Sequence, residues 1–476
     1  MLDHTRTILM AITDGSLPSN VGGGGNVRNI LRRVLSIIKK NGWWEKIGGM
    51  DGLLEIFESH KKDLEGIYGA FAEYNSFAEI IKVEYERWTT TDDAQAEQLK
   101  KLLKKNKNTL SIDDWIKAMQ SWGIPADKIS EVSGIPIPGN LYYEIATRQE
   151  RVAKAAEKIL YNTLHLPETV NMYYADGHKF DFDAKVIAVY QNVLQQQKRN
   201  LIILDQSLFY PTSGGQIHDT GVLKIEGFDE PFNVIEVTKV GKVVLHLVDR
   251  EIPSEGDNSD IVGRNASGSV DKARRAQLQA HHTGTHLVFA ACRNILGPHI
   301  WQAGAKKTTD QAHLDITHYK SLTKDEENAI ENYANRLINN CHSITKGFMD
   351  KAEAEKQYGF SLYQGGVVPG NSLRVVDICG VDTEACCGTH ADNTAEVGWV
   401  RILKTQRISD GIVRLYYVAQ ERAIQVMNTE FGILHKLTET WGVDQSQIES
   451  TASRFFNEYK RLNAQTKKQD QQILNL

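Results

Sequence analysis

Two short tracts carry most of the chemistry open to this chain. His282-Thr283-Gly284-Thr285-His286 and, about a hundred residues later, Cys386-Cys387-Gly388-Thr389-His390 each hold two metal-ligand residues four positions apart. A spacing of four sets His282 and His286 one turn apart on the same helix face, within reach of one ion. Cys386 and His390 repeat the spacing, and three imidazoles with one thiolate make a tetrahedral donor set suited to Zn²⁺. Two histidines on one helix face also occur as ordinary core residues. The second pair, and a Gly-Thr element in each tract that lets backbone come close, turn the pattern toward a metal. A metalloprotease helix would need glutamate directly after the first histidine as general base, and Thr283 stands there instead.

These residues need a scaffold, and the periodicity predicts one of α+β class. Leu278, His282, His286 and Ala290 fall on one stripe of a helix running from a cap at Ser269, with Asp271 near its positive end, to Gly297-Pro298. β-like runs at 373–378, 398–403 and 413–418 make residues 264–425 an α+β domain. Upstream, Phe180, Phe182, Ala184, Val186, Ala188 and Tyr190 alternate with polar residues, and further runs lie at 201–204, 232–240 and 243–248. Their recurrence between turn residues predicts a small β-barrel over 166–263. Residues 1–165 are helical in pattern. Ile30, Leu31, Val34, Leu35 and Ile38 recur at 3.6 spacing, as do Ile80, Ile81 and Tyr85, and Thr91-Asp92-Asp93 offers caps for a helix carrying Leu99, Leu102 and Leu103. Residues 426–476 form a helical tail, the start of a coiled linker.

A length of 476 residues accommodates about three domains at roughly 150 residues each. No apolar run approaches the ~20 residues of a membrane span, and the N-terminus lacks a basic-then-apolar signal, so a cytoplasmic protein with no membrane partner is expected. Five cysteines, four of them in or near the proposed site, favour thiols over a disulfide framework. A net charge of −5 excludes a uniformly basic nucleic-acid binder but not a local patch. Gly22-Gly23-Gly24-Gly25 feeds a helix on which Arg28 and Arg32 share a face, an arrangement able to meet a phosphate or to be a solvated basic surface.

Six tracts together carry a resemblance: Asp3-His4-Thr5-Arg6-Thr7, Leu17-Pro18-Ser19-Asn20, Phe209-Tyr210-Pro211-Thr212-Ser213-Gly214-Gly215-Gln216, His281 to His286, His299-Ile300-Trp301-Gln302, and Cys386 to His390. Their content and order resemble the alanyl-tRNA synthetase family, archaeal type, across nearly the whole chain. The resemblance implies tRNA-recognition helices, a β-barrel and a zinc-dependent editing domain. It implies that the ATP-using aminoacylation core is absent and supplied by a separately encoded subunit, so that this chain would be the second subunit of a split enzyme acting on tRNA(Ala).

The same resemblance assigns residues. His282, His286, Cys386 and His390 would hold Zn²⁺, and Gln302 would be the editing-pocket glutamine. Ser207 falls at the position of a hydroxyl-sensing threonine, the Gly214-Gly215 turn would approach the tRNA 3′ end, and Arg414 would meet a phosphate. Asn20 matches the asparagine that reads the acceptor-stem G·U pair, and Gln120 aligns with its aspartate partner. The implied reaction is hydrolysis of seryl- or glycyl-tRNA(Ala). Two other readings compete: a non-catalytic tRNA-positioning subunit with structural zinc, and a free-standing trans-editing deacylase, which would not need residues 1–165.

Overall fold

The computed structural model describes residues 1–474 except 20–21, 70, 72–73, 107, 123, 125, 142, 146–164, 176, 191–199, 252–260, 365, 367 and 369. Met1–Ala419 forms one compact unit and Gln420–Leu476 a second.

The first unit opens with six helices: α1 (Leu2–Thr13), α2 (Gly22–Lys40), α3 (Gly49–Tyr68), α4 (Tyr74–Lys105), α5 (Ile112–Gln120) and α6 (Ala126–Ser133). The expected apolar stripe of α2 is their seam: Leu31, Val34, Leu35 and Ile38 are buried with Ile8, Leu9, Leu53, Phe57 and Ile81. The anticipated helix start at Thr91 is absent, because α4 runs unbroken for 32 residues. Thr90 and Thr91 turn their hydroxyls back onto the carbonyls of Glu86 (2.8 Å) and Arg87 (2.5 Å), an alternative to capping that leaves a helix intact. A second small core around Trp115 joins the end of α4 to α5 and α6.

Fifteen β-strands follow among the described residues. β1 (Val170–Asn171) pairs in parallel with β4 (Gln206–Ser207). β2 (Asp181–Tyr190), β3 (Asn200–Leu204), β5 (Gly221–Ile225), β6 (Phe232–Val240), β7 (Val243–Val248) and β8 (Asn265–Val270) form an antiparallel ladder in the order β2-β3-β7-β6-β5-β8. β8 pairs again with β2, so the ladder closes on itself. Closure uses residues up to Val270, which moves the end of this module past 263. The alternation read in β2 also breaks: a register shift between Val186 and Ala188 leaves Phe182, Ala184 and Val186 in the main interior and sends Ala188 and Tyr190 to a satellite cluster.

The remaining elements of this unit are α7 (Lys272–Leu296), β9 (Gln302–Lys307), β10 (Ala312–Thr317), α8 (Lys324–Asn339), β11 (Ile344–Asp350), α9 (Lys351–Tyr358), β12 (Ser372–Ile378), β13 (Asp382–Ala385), β14 (Val400–Ser409) and β15 (Ile412–Ala419). One antiparallel sheet has the order β14-β15-β10-β9 and another β11-β12-β13. Helix α7 is buried along most of its length between them and α8, with Leu287, Val288, Phe289 and Cys292 in the core. Its N-cap is Asp271, whose side chain accepts from the Arg274 N–H at 3.1 Å, because Ser269 is committed to the β8 ladder.

The second unit is α10 (Gln420–Trp441) and α11 (Ile448–Leu474), with Trp441 and Phe455 edge to face at 5.7 Å. Among the described residues no helix is long and apolar enough to cross a membrane.

Candidate metal centre

α7 presents His282 and His286 on one buried face, while Cys386 and His390 come from the loop after β13. The spacing of four in the second tract is therefore not a helical turn. The loop succeeds because Gly388 lets its backbone lie against the His282 ring: a Cβ there would sit 1.9 Å from Cε1. Arg374 of β12 pins the loop by donating to the carbonyls of Cys386 (2.8 Å) and Gly388 (2.9 Å). Tyr174 and Tyr210 donate to the Cys387 carbonyl at 3.0 and 3.2 Å.

The four donor atoms lie within 4.8 Å of one another, with Cys386 Sγ 3.4 Å from His282 Nε2 and 3.3 Å from His390 Nε2. Tetrahedral zinc with bonds of about 2.0–2.3 Å requires ligand separations of this order, so the donors fit that ion. Each imidazole is steadied through its other nitrogen. His282 Nδ1 is 2.7 Å from Gln216 Oε1, His286 Nδ1 2.9 Å from Asp382 Oδ2, and His390 Nδ1 3.3 Å from Thr283 Oγ1. Such partners fix the tautomer and present Nε2 to a metal.

Electrostatics differ among the ligands. Burial pushes the His282 and His390 imidazoles well below their usual range, keeping both neutral. Burial acts the same way on His286 but is outweighed by Glu384 and Asp382, which raise it. Burial would push the Cys386 thiol up, yet His286 and Lys307 bring it down to about 7, toward the thiolate a metal needs. All five cysteines are free.

Several supporting residues have no spacing signal. Gln216, fully buried, accepts from His282 and from the Thr389 N–H (3.1 Å) and donates to Thr389 Oγ1 (2.8 Å). It thereby joins the barrel to both ligand tracts. Its presence in the Gly-Gly-Gln run was the only cue available. Asp382, Glu384 and Arg374 become visible only once β12 and β13 are paired.

The other candidates are placed less as expected. Gln302 opens β9, where its N–H donates to Gln364 Oε1 at 3.2 Å, and it makes no hydrogen bond to the four ligands. Gly214 and Gly215 adopt positive φ of 56° and 74°. A Cβ at Gly215 would lie 2.1 Å from the Ala305 carbonyl, so the turn packs on β9 and aims Gln216 inward. Ser207 is buried in the barrel. His246 Nδ1 lies 3.0 Å from the Ile202 carbonyl, so its Nε2 accepts from the Ser207 hydroxyl (2.8 Å), whose oxygen accepts the Phe209 N–H (3.1 Å). Both hydrogen bonds of that hydroxyl are made within the barrel. Arg414 is bidentate to Asp315, at 2.6 and 2.8 Å, because the two stand opposite each other in the β10–β15 register.

Arg28 and Arg32 face inward rather than toward a phosphate. Arg28 is 3% exposed; it holds Glu84 at 2.6 and 2.8 Å, the Pro18 carbonyl at 3.1 Å, and Asp410 in the β14–β15 turn. Arg32 is buried too. The shared face read from the sequence is real, but it is the face that packs on α4 and the β14–β15 turn. The glycine run serves close approach: a Cβ at Gly24 would lie 2.3 Å from the Leu17 carbonyl. Asn20 lies outside the described residues, and Gln120 ends α5 with its side chain outside them.

Comparison with known proteins gives this arrangement a context. The family model for class II tRNA synthetases (A) matches residues 1–273, and that for the threonyl and alanyl tRNA synthetase second additional domain matches residues 373–416. Alanine–tRNA ligase of Methanocella arvoryzae is 40% identical over 98% of this chain and 50% of its own length. That of Thermococcus kodakarensis is 36% identical over 100% and 51%, and that of Methanosphaera stadtmanae 35% over 99% and 51%. The chain spans about half the length of the curated relatives it matches.

One expectation is corrected outright: the class II domain lies on this chain, over residues 1–273, and is not absent from it. Three of the six tracts that carry the resemblance, at 3–7, 17–20 and 209–216, lie inside that range, but they read as recognition helices and a barrel and not as the class II domain. The relatives are single-chain enzymes, so a separately encoded aminoacylation subunit gains no support. With more than half its length under the class II model, the chain belongs to the alanyl-tRNA synthetase family.

Proposed function

We propose that this chain takes part in attaching alanine to tRNA(Ala), an ATP-dependent ligation, and that its His/Cys centre proofreads the product by hydrolysing seryl- or glycyl-tRNA(Ala). The observation that carries the hydrolase reading is the convergence of four donor atoms, each imidazole anchored through its second nitrogen, with Cys386 and His390 inside the segment matched by the second additional domain. A pocket for alanine gains only about 1–3 kcal/mol against substrates differing by a hydroxyl or a methyl, so errors must be destroyed after they form.

His282, His286, Cys386 and His390 would hold Zn²⁺, which when bound supplies Lewis acidity toward water or the ester carbonyl. In the net reaction water adds its oxygen to the ester carbonyl carbon, the bond from that carbon to the ribose oxygen breaks, and the ribose oxygen gains a proton. Gln216 Oε1 accepts from both the His282 ring and the Thr389 N–H, holding the two ligand tracts together, and Arg374 fixes the ligand loop through the Cys386 and Gly388 carbonyls. Gln302, beside Trp301 at the start of β9, would orient water or substrate from outside this network.

The test is direct. The zinc-loaded chain is incubated with seryl- and alanyl-tRNA(Ala), with and without chelator, and alongside Cys386→Ala. Loss of the seryl ester alone, abolished by chelator and by the substitution, is expected. Equal persistence of both esters on the zinc-loaded wild type would end the reading.

A further inference from the structure

The β11-β12-β13 sheet sets one row of side chains beside the metal centre. Phe348 of β11 stands opposite Arg374 of β12, and Cys386 continues the β12–β13 pairing, its N–H donating to the Arg374 carbonyl at 2.9 Å. Residues opposed in an antiparallel ladder share a face, so Phe348, Arg374 and the ligand Cys386 form one line across the sheet. Adjacent strands lie about 4.8 Å apart, which puts the Phe348 backbone roughly 10 Å from that of Cys386. Lys346, two positions before Phe348 on the same face, donates to the His390 and Ala391 carbonyls, both at 3.1 Å, as Arg374 does to those of Cys386 and Gly388. These two cations hold the ligand loop. Phe348 is 60% exposed at the end of the row.

A lone exposed apolar residue is ordinary on a protein surface and needs no function. This ring is not alone. Tyr174 meets it edge to face at 5.7 Å, and Tyr174 is itself fixed twice: its hydroxyl donates to the Cys387 carbonyl at 3.0 Å, and the Arg374 guanidinium lies 4.6 Å from the centre of its ring. Tyr173 continues the cluster, edge to face with Tyr174 at 4.5 Å and with Tyr210 at 5.3 Å. The exposed ring is thereby tied to the loop that carries Cys386 and His390. A rigid aromatic face next to a guanidinium is a surface on which unpaired nucleobases stack, since every base presents a π-face.

We propose that Phe348, backed by Tyr174, is the stacking platform for the 3′-terminal adenine of the charged tRNA. This deepens the hydrolase reading above and rests on it. An ester that reacts at the four ligands is joined to that adenine through a single ribose, so the base must come to rest one sugar away from the donor atoms. The row from Cys386 through Arg374 to Phe348 offers an aromatic face at a span of that kind. Stacking would hold the sugar in place and leave the aminoacyl group to be judged at the ligands. A protein seated on the same ring is the competing occupant, and it predicts no dependence on the base.

The test compares seryl-tRNA(Ala) ending in adenosine with the same ester on a terminal ribose that carries no base. Zinc-loaded wild type should favour the adenosine form in kcat/KM by roughly 5- to 150-fold, the usual worth of one base stacked on one aromatic ring. Phe348→Ala should lose that preference while hydrolysing the base-free form as wild type does. Phe348→Trp should keep the preference, and Phe348→Leu, apolar but not aromatic, should lose it. Melting temperature and zinc content should not move in any of the three, because the side chain is exposed. A second readout needs no turnover: tRNA(Ala) ending in 2-aminopurine, with serine attached through an amide, should lose fluorescence on binding wild type and lose less on binding Phe348→Ala. A preference retained by Phe348→Ala, one kept by Phe348→Leu as fully as by Phe348→Trp, or equal quenching by wild type and Phe348→Ala would each overturn the inference. The first of these would give the ring to a protein partner. A zinc-loaded wild type that leaves seryl-tRNA(Ala) intact ends the hydrolase reading and the platform with it, whereas an active wild type matched by Phe348→Ala ends only the platform.

Discussion

Arg28 and Lys307 are both cations withdrawn from water, and their surroundings have little in common. Arg28 meets Glu84, Asp410 and the Pro18 carbonyl, and Arg87 adds a further contact to Glu84 at 2.6 Å, so every charge in that cluster has an opposite charge against it. Lys307 has one neutral acceptor, and nearby Glu384 keeps a buried Oε1 with no hydrogen-bond partner. The first cluster is complete as folded. The second leaves ammonium donors and one carboxylate oxygen without hydrogen bonds, its opposite charges standing apart rather than in contact. Buried charge therefore has two meanings in one chain, and the balance of donors and acceptors tells them apart.

The strongest way to break this contrast is at the complete cluster. Removing one partner of a buried pair strands the other, so Arg28→Met should cost about 3–5 kcal/mol in urea unfolding, while Arg28→Met with Glu84→Leu should recover a large part of it. A single substitution costing less than 1 kcal/mol would show that the ion pairs around Arg28 do not hold the fold.

The barrel pair Ser207 and His246 lies between the two extremes, being buried, neutral and satisfied. Burial holds the His246 imidazole down to about 4, against 6.5 in an unfolded chain. Above pH 6.5 its contribution to stability is full; as pH falls through that window the unfolded chain gains a proton that the folded barrel refuses. The loss by pH 4 is about 3 kcal/mol from this residue. Denaturation at pH 7 and pH 4 should show a smaller drop for His246→Gln than for wild type, and equal drops would remove this residue from the account.

The smallest effect sharpens the description of the open cluster. Gln216→Leu should weaken zinc binding about 10–100-fold in chelator competition, whereas Gln216→Glu, which keeps the acceptor for His282, should hold it near wild type. Identical losses in both would mean that Gln216 only packs.

These contrasts also mark where the sequence could be read. The His282 and His286 pair was visible because helix geometry ties four residues to one turn. Strand runs were visible in two ways, 232–240 through a face that had to be apolar and 243–248 as an almost continuous apolar stretch buried on both faces. Cys386 and His390 were found through the same spacing for a different reason, since a loop carries them and Gly388 makes the approach possible. The surroundings of Arg28, Ser207 and Arg414 were not legible, because neither helical spacing, for the first, nor resemblance, for the other two, says what covers a side chain. Their partners, Glu84, His246 and Asp315, lie 56, 39 and 99 positions away. The class II domain was missed although tracts at 3–7, 17–20 and 209–216 lie within its 1–273 range, because helical periodicity and strand alternation there fit recognition helices and a barrel equally well.

The β14–β15 turn has a consequence for descent. Asp410 is fastened to a helix 382 positions earlier in the chain, and Arg28 shares itself between that aspartate and Glu84. No one of the three can change sign without stranding another, so lineages should exchange them together or keep them all. Positions 28, 84 and 410 would then be inherited as one character, and a collection of related genes should show them drifting in concert while their immediate neighbours vary alone.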